Sequence, residues 1–173
     1  MSIYLDNMAG TPIDPRAAKV HLSVSLQTMG NPQSRENANG EEAGRHLEAT
    51  ARNARKPFDG RFKEAIFTPG AAPALWLAVE AAIDTQRSRP FRVAVSRAEH
   101  PALISALVRA REAGRLDIVD IDVDEHGAPD LVSLERALEG GIDLVCTMAV
   151  NNEIGTISDL ASIADLTSRS GVP

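Results

Sequence analysis

Two hydrophobic periodicities alternate along the chain. Apolar residues three or four positions apart predict helices, and shorter alternating or continuous apolar runs predict strands. The predicted helices cover residues 15–28, 36–56, 72–86, 101–113, 131–139 and 159–170. The predicted strands cover residues 64–67, 91–96, 116–123 and 142–150. The last strand reads "IDLVCTMAV", a continuous apolar run that is typical of a strand covered on both faces.

Strands that alternate with helices of this length predict an α/β fold with a mostly parallel sheet. Right-handed crossovers would then place helices on both faces of the sheet. Ligands of such folds bind outside the carboxyl ends of the strands. We therefore look for chemistry in the turns at residues 68–72, 96–101 and 149–156. Near the end of the chain, Gly171 predicts a helix C-cap, and residues 172–173 predict the approach to another strand.

Composition and charge narrow the class of protein. The length of 173 residues suits one domain. Apolar residues make up 43% of the chain and charged residues 24%, which is the balance of a soluble globular protein. The net charge of -6 argues against direct nucleic-acid binding or an anionic-membrane surface. The sequence shows neither a secretory signal nor an apolar run of about 20 residues. The single Cys146 excludes an intramolecular disulfide and fits a reducing cytoplasm, where we expect the protein to reside.

Two polar stretches follow predicted strands. The first, "SRAEHPAL", has His100 just before a helix. This imidazole could cap the helix or lie in solvent, or it could stack on a flat cofactor and move a proton near neutral pH. The second, "AVNNEIGTI", has two Asn residues after a buried strand. An Asn amide can bind a phenolic oxygen or a carboxylate, although an Asn-rich turn before Gly155 would give the same pattern.

A third stretch, "FTPGAAPALW", runs from a predicted strand through a Gly turn into a helix. The N–H groups at a helix N-terminus can bind a phosphate. An ordinary helix start would have the same pattern, and the turn has few side chains that could hold an anion.

Five stretches in chain order carry a family resemblance: "YLDNMAGTPIDP", "GNPQS", "FTPGAAP", "AEHPAL" and "VNNEIGTI". They resemble the N-terminal half of the NifS-like cysteine desulfurases, which are class V pyridoxal 5′-phosphate (PLP) enzymes. The resemblance implies a PLP-transferase fold of the aspartate-aminotransferase type. Residues 1–60 would form an N-terminal helical segment, and residues 61–173 the first, incomplete part of the large PLP-binding domain.

The resemblance also implies an activity and its partners. Members of this family transfer sulfur from L-cysteine to an enzyme cysteine, which leaves alanine and a persulfide. They act as homodimers and pass the sulfur to iron–sulfur scaffold proteins or to tRNA thiolation. We expect the same class of substrate and partner here, with no membrane association.

The resemblance assigns roles to individual residues. His100 matches the histidine that stacks on the pyridine ring and assists proton transfer, and Asn152 matches the residue that hydrogen-bonds the phenolic oxygen. Gly70 and Ala71 match the turn whose N–H groups meet the phosphate. Asn31 of "GNPQS" matches a loop near the substrate.

Four positions depart from the family pattern. Ala72 stands where the family has a phosphate-binding Thr, and the loss of that hydroxyl should cost about 1.5–3 kcal/mol of binding. Pro73 replaces a Glu and removes one N–H from the first helical turn. Gly10 replaces a Thr, and Asn37 stands where the family often has His.

Several family groups have no match in these 173 residues. They are the Asp at the ring nitrogen, the Lys that binds the cofactor covalently, the persulfide Cys and the substrate Arg. The lysines Lys19, Lys56 and Lys63 lack the Ser-x-His-Lys context. Cys146 lies in a predicted buried strand, where a thiol is usually inert.

Three hypotheses follow from this pattern. The chain could be a fragment or one half of a split desulfurase, with a complementary C-terminal half or a homo- or heterodimer partner supplying the other groups. It could instead be a non-catalytic module that binds a complete desulfurase or a scaffold protein. The third hypothesis keeps the class V scaffold but assigns transamination or lyase chemistry.

Overall fold

The computed structural model describes residues 3–59, 61–85 and 89–173. The helices are α1 (Pro15–Gln27), α2 (Ala38–Arg55), α3 (Ala71–Ile83), α4 (Pro101–Glu112), α5 (Leu131–Glu139) and α6 (Leu160–Arg169), and a 3₁₀ turn spans Lys56–Phe58. The strands are β1 (Phe91–Ser96), β2 (Leu116–Ile121) and β3 (Leu144–Cys146). The last position of the helix predicted over 72–86 lies outside the described residues.

The chain divides into two compact units, Met1–Phe67 and Thr68–Pro173. In the first unit, each helix begins at a side-chain cap. The carboxylate of Asp14 accepts the N–H of Arg16 at 2.7 Å at the start of α1, and Oδ1 of Asn37 accepts the N–H of Gly40 at 2.9 Å at the start of α2. Asn37 therefore has a local structural role, because Asn is among the preferred N-cap residues.

The prediction of a strand over residues 64–67 is wrong, since this segment has no regular secondary structure. Ile66 and Phe67 are 72% and 53% exposed. An apolar run becomes a strand only where a second strand accepts its backbone hydrogen bonds, and within the described residues no strand pairs with this segment.

The second unit contains a three-stranded sheet in the order β2-β1-β3, and both pairings are parallel. Phe91 pairs with Leu116, and Val93 pairs with Leu144. The alternating pattern therefore predicted the fold class correctly: an α/β unit with a parallel sheet.

Helices cover both faces of this sheet. Val93 and Val95 of β1 face a cluster that includes Leu107 of α4 and Val79 of α3. Ala94, whose side chain points the opposite way, faces a second cluster built from α5 and α6. Successive residues of a strand point to opposite faces, so β1 contributes to both cores.

Strand β3 is shorter and more exposed than its sequence predicts. The predicted strand spans residues 142–150, but only Leu144–Cys146 form one, and these three residues are half-buried. β3 pairs with β1 along one edge, and on its other side the N–H of Val145 donates to the carbonyl of Pro173 at 2.9 Å. Pro173 therefore lies beside β3, but residues 172–173 have no regular secondary structure, so another strand at this position stays a prediction.

Helix α6 ends as the sequence predicts. Gly171 has a φ of 66° and its N–H donates to Ser168, while the N–H of Val172 donates to Thr167. This pattern is a Schellman motif, which favours Gly in the left-handed region. Within the described residues, no helix combines the length and apolar character needed to cross a membrane.

Candidate functional site

His100 is the N-cap of α4. Its backbone is extended, with φ -65° and ψ 138°, and Nδ1 accepts the N–H of Ala102 at 3.0 Å. Because Nδ1 is the acceptor in this bond, Nε2 is the ring nitrogen that is left to donate. The ring is exposed. His100 therefore caps the helix, as one of the two sequence alternatives proposed, and still presents an N–H to solvent.

The two Asn residues after β3 have different environments. Asn152 is exposed, and its amide donates to Oε1 of Glu153 at 3.0 Å. Asn151 is half-buried, and its amide nitrogen donates to the carbonyl of Ala98 at 3.0 Å. Its Oδ1 accepts the N–H groups of Glu153 and Ile154 at 2.9 and 3.2 Å. The loop after β3 is therefore tied to the loop after β1.

The N-terminus of α3 is open. Gly70 is its N-cap with an extended backbone, and within the described residues no side chain caps this helix. A Cβ added at Gly70 would meet nothing within 4 Å. The N–H groups of Ala71 and Ala72 are thus available to a ligand. Pro73 has no N–H group, and the N–H of Ala74 donates to the carbonyl of Gly70 at 3.4 Å. This end of the helix can bind an anion through two backbone donors and the helix dipole.

The body of α3, the start of α4 and the end of β3 surround one apolar cavity of about 460 Å³. Leu75 of α3, His100 and Met148 all line it. Since Met148 follows the carboxyl end of β3 and His100 follows β1, the cavity reaches the carboxyl edge of the sheet. This is the edge at which α/β folds bind ligands.

Glu99 is a feature of this cavity that the sequence interpretation missed. Its Oε1 and the hydroxyl of Thr147 are buried with no hydrogen-bond partner within the described residues. Burial raises the pKa of the Glu99 carboxyl, although hydrogen bonds from the backbone N–H groups of His100 and Met148 oppose the shift. A Glu beside a His directly after a buried strand was the available signal. Unpaired buried polar atoms are rare, so this wall of the cavity has polar groups free for a ligand or a covering segment.

Cys146 lines the same cavity. Burial raises the pKa of its thiol to about 12, and the Glu99 carboxylate adds to the shift. The thiol is therefore protonated near neutral pH and is a poor nucleophile. This agrees with its interpretation as a structural residue.

The site residues fall into two groups. Gly70, Ala71, Ala72, His100 and Asn152 all belong to the second unit. Of these five residues, His100 lines the cavity. Asn31 belongs to the first unit. There its Oδ1 accepts the N–H of Gln33 at 2.9 Å, which is a local turn interaction. The three lysines are also in the first unit.

The chain belongs to the aminotransferase class V family, whose match covers residues 3–172. This family is PLP-dependent, as the resemblance implied. Cysteine desulfurases are among the curated proteins that resemble this chain. That of Frankia sp. (strain EuIK1) is 34% identical over 98% of this chain and 42% of the relative. Cysteine desulfurase IscS of Pectobacterium atrosepticum is 32% identical over 99% of this chain and 43% of the relative. The chain spans about two fifths of the length of these relatives.

Solved structures show the same fold. A NifS-like protein superposes with a TM-score of 0.84 at 25% identity, covering 98% of this chain and 46% of that protein. The apo cysteine desulfurase from Thermococcus onnurineus NA1 gives a TM-score of 0.86 at 20% identity, covering 98% of this chain and 42% of that protein. The chain thus has part of the fold of these larger proteins.

Proposed function

We propose that this chain binds PLP at the carboxyl edge of its sheet as part of a cysteine-desulfurase-like protein. The observation that carries the proposal is the cavity that His100 lines together with α3, whose N-terminus is open. The loop of Asn152 is bonded to the loop of His100 through Asn151 and Ala98. The phosphate would lie on the N–H groups of Ala71 and Ala72, the ring against His100, and the phenolic oxygen within reach of Asn152.

The described residues fit these three roles. Two free backbone donors and the helix dipole suit a phosphate dianion. The Nε2–H of His100 can donate a hydrogen bond or move a proton, because Nδ1 is held by Ala102. The cofactor, when bound, supplies an electron sink for bonds at the substrate α-carbon. The fit is incomplete at Ala72, where the side chain offers no hydroxyl to the phosphate.

Sulfur transfer from L-cysteine needs more groups than these. Covalent attachment of the cofactor requires an activated Lys, and the carrier of the sulfur must be a reactive Cys, which Cys146 is not. We propose that a second polypeptide supplies these groups together with the Asp and Arg of the family pattern. The complete protein would be a cytoplasmic homodimer or heterodimer that gives sulfur to an iron–sulfur scaffold or a tRNA-thiolation protein.

A binding assay tests the first part of the proposal. The chain should bind PLP in equilibrium dialysis, and His100→Ala and Asn152→Ala should each weaken binding. Two exposed residues of the first unit, His46 and Asn53, offer the matched control variants His46→Ala and Asn53→Ala. Equal affinity of all four variants and the wild-type chain would contradict the assignment of the site.

A complementation assay tests the second part. Adding a polypeptide that carries the covalent Lys and the reactive Cys should produce alanine and an enzyme persulfide from L-cysteine, and added dithiothreitol should then reduce the persulfide and release sulfide. Either polypeptide alone should give neither product. The replacement of the phosphate-binding hydroxyl by Ala72 favours one other candidate, a non-catalytic module. Capture of a complete desulfurase by a chain that binds no PLP would support that module and exclude the split enzyme.

A further inference from the structure

The two loops that carry the candidate cofactor groups are partly exposed, and one side chain joins them. Residues 97–100 follow β1 and end in His100, whereas residues 149–158 follow β3 and contain Asn152. The amide nitrogen of Asn151 donates to the carbonyl of Ala98 at 3.0 Å. This bond connects residues that are 53 positions apart, and Ala98 lies only two residues before His100.

Asn151 also forms hydrogen bonds within its own loop. Its Oδ1 accepts two N–H groups, its backbone N–H donates to the carbonyl of Thr156 at 2.8 Å, and its carbonyl accepts the N–H of Gly155 at 2.9 Å. The residue is half-buried. A side chain with both ends hydrogen-bonded favours one orientation, because an alternative rotamer breaks these bonds.

The neighbouring Asn152 is free in comparison. Its side chain is exposed and contacts the adjacent Glu153. The two Asn residues therefore have different roles. Asn152 is available to a ligand, whereas the side chain of Asn151 is hydrogen-bonded within its own loop and to the loop after β1.

We infer that Asn151 is a positioning residue, which sets the separation of His100 and Asn152 through its bond to Ala98. This inference rests on the proposed function, since it assigns both groups to one ligand. The physical reason is that side chains on loops bind a ligand well only when the surrounding hydrogen bonds and packing fix their positions. Asn151→Asp is the informative variant. It keeps the oxygen that accepts the N–H groups of Glu153 and Ile154, but it places an acceptor against the carbonyl of Ala98.

The first experiment examines the bond without any ligand. In NMR spectra of the ¹⁵N,¹³C-labelled chain, we expect a scalar coupling across the hydrogen bond from the side-chain amide of Asn151 to the carbonyl of Ala98. We also expect Asn151→Asp to speed hydrogen exchange of the Glu99 amide, which donates to Ser96 at 3.2 Å. Protection of α4 should stay unchanged, which shows that the variant is folded. Asn152→Asp makes the same charge change one residue later and should leave the Glu99 amide unaffected. Equal exchange in both variants would overturn the inference.

The second experiment measures the effect on the proposed site. Asn151→Asp should weaken PLP binding by roughly three- to tenfold, the factor that one neutral hydrogen bond contributes. His100→Ala should lose less affinity in the Asn151→Asp background than in the wild type, because the histidine is no longer held in place. Asn53→Asp in the first unit is the control for charge.

The ¹⁵N shift that PLP induces in the His100 ring should also be smaller in Asn151→Asp. Strictly additive losses with an unchanged shift would overturn the positioning role. If the wild-type chain binds no PLP, the proposed function fails, and the exchange experiment alone then decides whether Asn151 holds the two loops together.

Discussion

Restoring a hydroxyl at the start of α3 should strengthen phosphate binding. Ala72 is the second residue of α3, it is exposed, and no side chain of the described residues caps this helix. Ala72→Thr adds one hydroxyl beside the free N–H groups of Ala71 and Ala72. A hydrogen bond to a charged partner contributes about 1.5–3 kcal/mol, so the affinity for PLP should rise roughly 10- to 150-fold by the usual conversion of 1.4 kcal/mol per factor of ten.

The assay is isothermal titration of PLP and of pyridoxal, which lacks the phosphate. The gain should appear with PLP alone, because the added hydroxyl faces the phosphate position. Ala81→Thr is the matched control, since Ala81 is an exposed residue of the same helix, nine positions further on. Thr costs about 0.5 kcal/mol of helix propensity, so this control reports the general effect of Thr in α3.

Two results would refute the reasoning. An equal gain for pyridoxal would mean that the new hydroxyl does not meet the phosphate. An unchanged affinity for PLP, with the wild-type chain binding it, would mean that the phosphate lies elsewhere than on the N-terminus of α3.

Three further predictions concern charge and stability in the second unit. Glu99→Gln should remove a pH dependence of the free energy of unfolding. Burial raises the pKa of the Glu99 carboxyl in the folded chain. The protonated carboxyl therefore contributes its full stabilisation below the pKa of the unfolded chain, and this stabilisation is lost as pH rises through the pKa of the folded chain. Urea denaturation should show wild-type stability falling relative to the variant as pH rises from about 4.5, and parallel curves would contradict this. Cys146, with its pKa raised to about 12, should react with iodoacetamide at pH 8 far more slowly in the folded chain than in urea; similar rates would show an accessible thiolate. Asp143→Asn should destabilise the unit by about 1 kcal/mol, because the carboxylate accepts two hydrogen bonds from Arg89 at 2.7 and 2.6 Å and the N–H of Arg92 at 2.8 Å. Burial opposes these hydrogen bonds, but the net effect is a lowered pKa of Asp143. The stabilisation by the Asp143 carboxylate should therefore disappear as pH falls below about 4. Equal melting temperatures of the wild type and Asp143→Asn at pH 7 would refute this prediction.

The candidate site could be predicted in part from the sequence. His100, the Asn pair and the Gly70 turn were recognisable because each follows a predicted strand or precedes a predicted helix. The role of Asn151 was not predictable, since its bond to Ala98 depends on β1 and β3 being neighbours. The burial of Glu99 was not predictable either, because it follows from the packing of three elements around one cavity.

The sequence by itself determined the order and type of the helices and the parallel α/β class. Helix hydrogen bonds and caps join residues three or four positions apart, so Asn37, His100 and Gly171 carry their structural roles locally. Only the tertiary structure decided which apolar runs became strands. Residues 64–67 and the outer parts of 142–150 have strand-like sequences, but a strand forms only where another segment pairs with it. That choice also decided the site, because pairing of β1 with β3 is what brings the loops of His100 and Asn152 to one edge of the sheet.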